Sequence, residues 1–177
     1  MEYREVILVD DDDRAIGVME KMEAHQKGLL HRAFSVFIIN KAGELLLQQR
    51  ALSKYHSPGL WTNTCCSHPA PGELTTLAAS RRLKEEMGIV CPLAEIGTFT
   101  YQTEFDNGLI EYEFDHVFVG QCDATVNPDK SEVEAYRWIS IADLDEDINL
   151  HKEQYTYWFH LAYPIAKSWL GYQKSFI

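Results

Sequence analysis

The sequence predicts a layered α/β fold of the α+β kind, in which helices pack on a mixed sheet. Three observations carry this. Short apolar runs of strand length recur between turn signals. One central stretch, 74–87, places apolar residues near helical spacing. An aromatic-rich stretch, 155–170, closes the chain with helical character. No repeat, low-complexity tract or Pro/Gly/Ser-rich linker divides the 177 residues, so one domain over 1–177 is expected.

Taken in order, Val6-Ile7-Leu8-Val9 is a short apolar strand, stopped by the acidic run Asp10–Asp13. That run reads as a solvated turn, because the later ligand positions of a calcium loop are absent. The stretch 16–22 is short and ambiguous. Phe34–Asn40 and Leu45–Gln49 flank a glycine-bearing turn and predict a hairpin. A further strand is expected over 62–67. In the central helix the apolar residues are Leu74, Leu77, Ala78, Leu83 and Met87, and Gly88 supplies the C-terminal cap. Strands over 95–103 and 110–119 flank Asp106-Asn107-Gly108, a strong turn signal. A short strand at 136–139 and a small helix opening at 141 follow. The closing helix should break or kink near Pro164.

The composition, 46% hydrophobic and 24% charged, is that of an ordinary globular protein. A formal net charge of −11 argues against nucleic-acid partners and against an anionic membrane surface. It leaves room for an anionic small substrate held by a local basic cluster. Four cysteines, Cys65, Cys66, Cys91 and Cys122, do not form a secreted-type disulfide framework. The opening residues show no signal or transit segment, and no apolar run approaches a membrane span. The expectation is a cytoplasmic monomer with reduced thiols.

Chemistry concentrates in a few places. In Trp61-Thr62-Asn63-Thr64-Cys65-Cys66-Ser67-His68, two adjacent thiols and a histidine sit in a polar run. Ile110-Glu111-Tyr112-Glu113-Phe114 alternates, so Glu111 and Glu113 share one strand face about 6–7 Å apart. Such a face is either solvated or needs a cation. With His25, His31 and His68 it could form a three-histidine, two-carboxylate site for zinc, manganese or magnesium. On the helix, Arg81–Glu85 and Arg82–Glu86 have the spacing of surface ion pairs. Lys21, Arg50, Lys54 and Arg82 are the basic groups available to an anion.

The spacing Glu73-x7-Arg81-x3-Glu85-Glu86-x-Gly88 resembles the Nudix signature, a loop–helix–loop that holds a metal on a diphosphate. Two positions depart from it. Ser67 stands where the signature has its first glycine, and Arg82 where it has a glutamate. Several blocks together resemble the type I isopentenyl-diphosphate isomerases. They are His31-Arg32-Ala33-Phe34-Ser35, Gln49-Arg50-Ala51 with Ser53-Lys54, Pro58 to Pro69, Arg81-Arg82-Leu83 with Glu85-Glu86 and Gly88, and Glu111-Tyr112-Glu113. They occur in the family's order and span almost the whole chain.

The resemblance implies a Nudix-like mixed sheet sandwiched by helices, with a helical C-terminal segment. It implies interconversion of isopentenyl and dimethylallyl diphosphate. It makes Cys66 a catalytic thiol and gives His25, His31, His68, Glu111 and Glu113 to a tightly bound divalent metal. Glu86 would help hold a magnesium ion carried with the substrate diphosphate. Tyr101 and Trp158 match an active-site tyrosine and an aromatic at the hydrocarbon end. Protonating an unactivated alkene needs an acid on one side and a base on the other. Cys66 and Glu113 are placed there, with Tyr101 bonded into the relay. In the direction of dimethylallyl diphosphate, Glu113 is read as the acid and Cys66 as the base. Ser67 and the four basic groups are expected at the diphosphate, and Trp158 beside the developing cation.

The aromatic stretch 155–163 is either a lid excluding water or ordinary core. Cys65 is read as a packed thiol. His56, His116, His151 and His160 have no assigned partner. Two other functions compete. A Nudix-type pyrophosphohydrolase would keep Glu73, Glu85 and Glu86 but leave Cys66 without a task. A non-catalytic metal-binding module would explain only the histidines.

Overall fold

The computed structural model describes residues 5–174. The third strand is the hub. Its nine residues, His31–Ile39, are nearly all buried and rich in β-branched and aromatic side chains, as suits a central strand. We number the strands β1 Glu5–Val9, β2 Ala15–Glu20, β3 His31–Ile39, β4 Glu44–Arg50, β5 Trp61–Thr62, β6 Cys65–Ser67, β7 Ala94–Glu104, β8 Ile110–Gln121 and β9 Val133–Ser140. The helices are α1 Lys21–Lys27, α2 Thr75–Met87, α3 Ile141–Leu150 and α4 Phe159–Lys174, with a 3-10 turn at Lys152–Gln154.

One edge of β3 pairs in parallel with β8 along its whole length, from His31↔Glu113 to Ile39↔Gln121. Three strands share its other edge in succession. β1 meets it at Leu8↔His31, β6 at Phe34↔Ser67 to Val36↔Cys65, and β4 at Ile38↔Leu46 and Ile39↔Leu45. The expected hairpin therefore exists only at its turn. β9 pairs with β4 along its whole length, while beyond two residue pairs β4 leaves β3 to pair with β5, and β6 takes the vacated edge. The expected strand over 62–67 is two short strands, because Asn63 and Thr64 turn their side chains onto other backbones. Thr64 Oγ1 accepts from Ile38 N–H at 2.9 Å and donates to Leu46 C=O at 2.6 Å, bridging the splayed hairpin. Asn63 Nδ2 donates to Cys65 C=O at 2.6 Å.

Alternation along β3 builds a core on each face of the sheet. Phe34, Val36 and Ile38 pack with Phe118 against Ala78, Ala79, Leu83 and Met87 of α2. Phe37 and Ile39 pack with Val117 and Val119 against Leu144 of α3 and Phe159, Ala162 and Tyr163 of α4. This is the expected mixed sheet between helices.

Some local expectations are corrected. Leu74 and Leu77 are 70% and 60% exposed, and the buried face of α2 is carried by Ala78, Ala79, Leu83 and Met87 together with Arg82 and Glu86. The ambiguous stretch 16–22 splits into the end of β2 and the start of α1. α4 runs through Pro164 without a break. Pro164 is the sixth residue of α4, past the four amides that lack intrahelical partners, so the helix continues with one backbone bond forgone. Within the aromatic stretch, Tyr155, Phe159 and Tyr163 are core, buried in the α4-side cluster.

Gly88 ends α2 in the left-handed region at φ 70°, its N–H bonded to Lys84 C=O. The chain returns over this end, with Asn127 and Asp129 N–H groups bonded to Met87 and Glu86 carbonyls. A Cβ on Gly88 would lie 2.8 Å from Asn127 O, whereas one on Gly43, at φ 81°, would meet nothing within 4 Å. Gly88→Ala should therefore destabilise by more than the ~1–2 kcal/mol of the left-handed backbone alone, and Gly43→Ala by about that amount. Urea unfolding of the two variants checks this; equal losses would contradict it.

Candidate active site

Four buried or half-buried groups converge from four elements: His25 of α1, His31 at the start of β3, His68 just after β6 and Glu113 of β8. Each offers a donor atom within 4.8 Å of the others. The fold explains the convergence. The parallel register sets His31 beside Glu113, and β6 delivers His68 to the same region across β3. α1 is capped by the Glu20 side chain at one end and by Gly28 in the left-handed region at the other.

The ring orientations fit a metal site. His25 Nδ1 lies 2.7 Å from Lys21 C=O, and His31 Nδ1 lies 2.8 Å from Leu29 C=O. A carbonyl accepts only, so each Nδ1 carries the hydrogen and each Nε2 presents a lone pair. Both Nε2 atoms are buried and have no hydrogen bond. This is how imidazoles are held for ligation, with the outer nitrogen anchored to the backbone. Burial pushes His68 down to about 3, with Lys21 adding to the shift, and burial also lowers His25, helped by His31. Neutral imidazoles are the ligating form. His68 Nε2 and His31 Nε2 lie 3.0 and 3.6 Å from Glu113 Oε1. Burial would raise Glu113, but the His68 ring bonded to it and the His31 ring beside it hold it well below the usual carboxylate range.

Glu111 sits two residues earlier on the same face, also buried. Burial and the Glu113 charge push it well above the ordinary range. Tyr101, paired directly across from Glu113 on β7, places its hydroxyl 2.7 Å from Glu113 Oε2 and 3.0 Å from Glu111 Oε2. Burial and the two carboxylates raise the phenol well above its usual value. The consistent arrangement has protonated Glu111 donating to Tyr101, and Tyr101 donating to ionised Glu113.

Cys66 reaches the same cleft from β6, on the opposite edge of β3 from Glu113. Burial pushes its thiol up to about 12, against the pull of Arg50, whose Nη1 lies 4.0 Å from Sγ. Arg50 also lies over the Trp158 ring, 5.2 Å from its centroid. The cleft encloses about 590 Å³ counted out to its open mouth. Lys21, Arg50, Lys54 and Arg82 line it, against Glu86, Glu111, Glu113, Asp115 and Glu132. Four cations face five carboxylates, two of which, Glu111 and Asp115, are pushed by burial toward the neutral form, so the cleft has positive charge to offer an anion.

Arg82 is not a surface residue. It is 3% exposed and pairs with Glu86 at 2.6 Å, Glu85 at 2.9 Å and Glu132 at 3.4 Å. Gln48 Nε2 donates to Glu86 at 3.0 Å, and Lys54 pairs with Glu132. Arg81 clasps Glu73 with two bonds of 2.8 Å, the loop–helix clamp expected of the motif. Thus Arg82 and Lys54, expected at the diphosphate, are already engaged by carboxylates at the cleft wall.

The predicted set comes together in one place. Cys66, Glu113, Tyr101, His68, Glu111, Glu86, Lys21, Arg50, Lys54, Ser67, Arg82 and Trp158 all line the cleft, and His25 and His31 join it through the donor cluster. Glu86 lies outside both donor groups found among the described residues. Three residues were missed. Asp115 continues the 111/113 alternation and accepts from Ser35 Oγ at 3.0 Å, so the period of two already pointed to it. Glu132 had no signal. His56 is corrected below: far from lacking a partner, it lies 3.2 Å from Glu111. His116 likewise bridges Asp13 and Glu95 at 3.0 and 2.8 Å, and His160 Nε2 meets Lys152 C=O at 3.1 Å.

The sheet between helices, the Glu73–Arg81 clamp and the acidic helix end define a Nudix-domain protein, and a NUDIX domain is matched over residues 29–159. A Deinococcus radiodurans protein of solved structure shares the fold at TM-score 0.73 and 19% identity, over 92% of this chain and 98% of that one. A MutT protein from Methanosarcina mazei does so at TM-score 0.64 and 20% identity, over 78% and 94%. Relatives in sequence are far closer. The isopentenyl-diphosphate Delta-isomerase of Burkholderia multivorans is 56% identical over 90% of both chains, and that of Pectobacterium atrosepticum 54% over 99% of this chain and 98% of its own. The chain belongs to the isopentenyl-diphosphate Delta-isomerase family.

The site predicts its own titration. His56, pushed down to about 2 by burial and by Arg50, and His68, at about 3, should stay neutral from pH 8 to pH 5 in the cation-free protein. Histidine side-chain NMR reads this directly; a transition near 6.5 in either ring would contradict the burial.

Proposed function

We propose that this protein interconverts isopentenyl and dimethylallyl diphosphate by adding a proton to one face of the alkene and removing one from the other. One observation carries the reading. The fold brings a thiol, Cys66, and a carboxylate–phenol set, Glu113–Tyr101–Glu111, to one cleft from opposite edges of β3. Its named relatives, about half identical over nearly their full lengths, support the same reaction.

The residues divide the work as follows. Toward dimethylallyl diphosphate, the alkene π pair takes a proton at the terminal carbon, leaving a tertiary cation at the branched carbon. The pair of the neighbouring C–H bond then closes the new double bond, and its proton leaves to the base. Glu113 is the acid, supplied from Glu111 through Tyr101, and Cys66 is the base. Arg50 beside Sγ favours the thiolate that this direction requires. A buried thiol raised to about 12 is protonated at rest, which makes Cys66 the acid of the reverse direction, with ionised Glu113 as base. The two directions use the two proton distributions of the same pair.

Trp158 lines the cleft and can present its electron-rich face to the cation. Lys21, Arg50 and Ser67 are the groups we assign to the diphosphate, with Lys54 and Arg82 as the salt-bridged wall behind it. His25, His31, His68, Glu111 and Glu113 would hold a divalent ion (manganese, zinc or magnesium), which would supply positive charge to the buried carboxylates and the diphosphate. Glu86 is the carboxylate we assign to a magnesium ion arriving with the diphosphate. The hydrolase alternative loses its chemistry at Arg82. Where a signature carboxylate is expected stands a guanidinium neutralising Glu85 and Glu86.

Incubation with isopentenyl diphosphate and magnesium should give dimethylallyl diphosphate and release no inorganic phosphate; hydrolysis without isomer would reject the proposal. Cys66→Ala should lower turnover by at least the ~10²–10⁴-fold typical of a lost acid–base group, with the cation retained. Glu113→Gln should lose both activity and cation affinity. Product formed in deuterium oxide should carry deuterium at the terminal carbon, and its absence would refute solvent-linked protonation.

A further inference from the structure

His56 lies on the loop after β4 and belongs to none of the sequence blocks that point to a metal. Its ring is nonetheless held as firmly as those of the ligand histidines. Phe105 stacks on it at 5.2 Å between centroids, and Trp158 meets it edge-on at 5.8 Å. Its backbone carbonyl accepts from Arg50 Nη2 at 3.3 Å, and Asn107 Nδ2 donates to the carbonyl of Tyr55 before it at 3.1 Å. Ser57, the next residue, is left-handed at φ 48°. That is a sparsely populated backbone for a non-glycine residue, and the surrounding contacts hold it.

The ring points at Glu111. His56 Nε2 is 3.2 Å from Glu111 Oε1, and both groups are more than nine-tenths buried. His56 Nδ1 is buried with no hydrogen-bond partner. With the hydrogen on Nδ1, Nε2 turns a lone pair toward the Glu111 oxygen, and a cation between the two atoms would accept both lone pairs. Two donors on one cation at about 2.1 Å stand about 3.0 Å apart at a right angle and about 3.4 Å at the tetrahedral angle. The His56–Glu111 separation of 3.2 Å falls between these, as does the 3.0 Å of His68–Glu113 at its lower end. A third donor is within reach: His25, His56 and Glu111 offer atoms all within 4.8 Å of one another.

We infer that His56 is a cation-binding residue, completing with His25 and Glu111 a second donor set that shares His25 with the His25–His31–His68–Glu113 set. This rests on the metal site of the proposed function and adds to it a ligand on a different loop. The two sets share His25, whose Nδ1 is bonded to Lys21 C=O, so its single free nitrogen serves one ion at a time and each chain holds one ion, in one set or the other. His56 thereby ties the loop that carries Lys54 to the ion.

The test measures cation binding and not turnover. Purified protein is stripped with a chelator and titrated with Co²⁺, following visible absorption and competition with a chromophoric chelator. Three variants are compared. His31→Gln removes a donor of the first set and should weaken Co²⁺ strongly. His56→Phe should weaken Co²⁺ about 10–100-fold and change the band pattern. His56→Gln can still donate to Glu111, so a residue that only positions that carboxylate would be rescued by it. We expect no rescue. Wild-type affinity and bands in His56→Phe, or their recovery in His56→Gln, would overturn the inference. If His31→Gln also binds as wild type, the metal site itself fails; if only the His56 variants do, the site stands and His56 leaves it. Unchanged far-UV circular dichroism establishes that each variant is folded.

Discussion

Three carboxylates, Glu111, Glu113 and Asp115, lie at alternate positions of β8 and are all buried. Burying one carboxylate without compensation is costly, and three on one strand face repel one another. Much of the surrounding structure answers this. Histidines are set against Glu113, a phenol bridges Glu113 and Glu111, an imidazole meets Glu111, and a serine meets Asp115. The carboxylates divide accordingly, with Glu113 held low and Glu111 and Asp115 pushed high. Such splitting separates proton donors from acceptors at neutral pH.

β3 turns that strand into a site. Its parallel pairing with β8 sets His31 beside Glu113, and its other edge receives β6 with Cys66 and brings His68 within reach. The edge is free for β6 because the β3–β4 hairpin splays, and Thr64 bonds both separated strands to keep it so. Cys66 and Glu113, at opposite edges of one strand, are fixed by backbone register, which is stiffer than any loop. The two cores hold that register from both faces.

α2 shows how the same scaffold is turned from one chemistry to another. Arg81 keeps the clamp to Glu73 that fixes loop to helix. Arg82 is buried one residue later among Glu85, Glu86 and Glu132. A buried arginine among carboxylates neutralises the helix face that would otherwise gather metal ions for hydrolysis. The group of side chains that could hold a cation lies instead on other elements, around His25, His31, His68 and Glu113.

How much of this was legible follows from what is local. The helix at 74–87, the Gly88 cap, the 95–119 hairpin and the shared face of Glu111 and Glu113 are matters of period and turn chemistry, so the residues alone determined them. The family resemblance singled out Cys66, His25, His31, His68 and Tyr101, and the cleft contains or adjoins them all. Other features depend on what a segment packs against. The burial of Arg82, the exposure of Leu77 and the core role of Tyr155, Phe159 and Tyr163 could not be read from periodicity, because both a surface and a buried helix face satisfy it. The splayed hairpin required knowing that β6 competes for the edge of β3. Above all, His56 is far from Glu111 in the chain and carries no motif signal of its own. Only tertiary folding of the 51–60 loop against Phe105 and Trp158 brings that imidazole to the carboxylate.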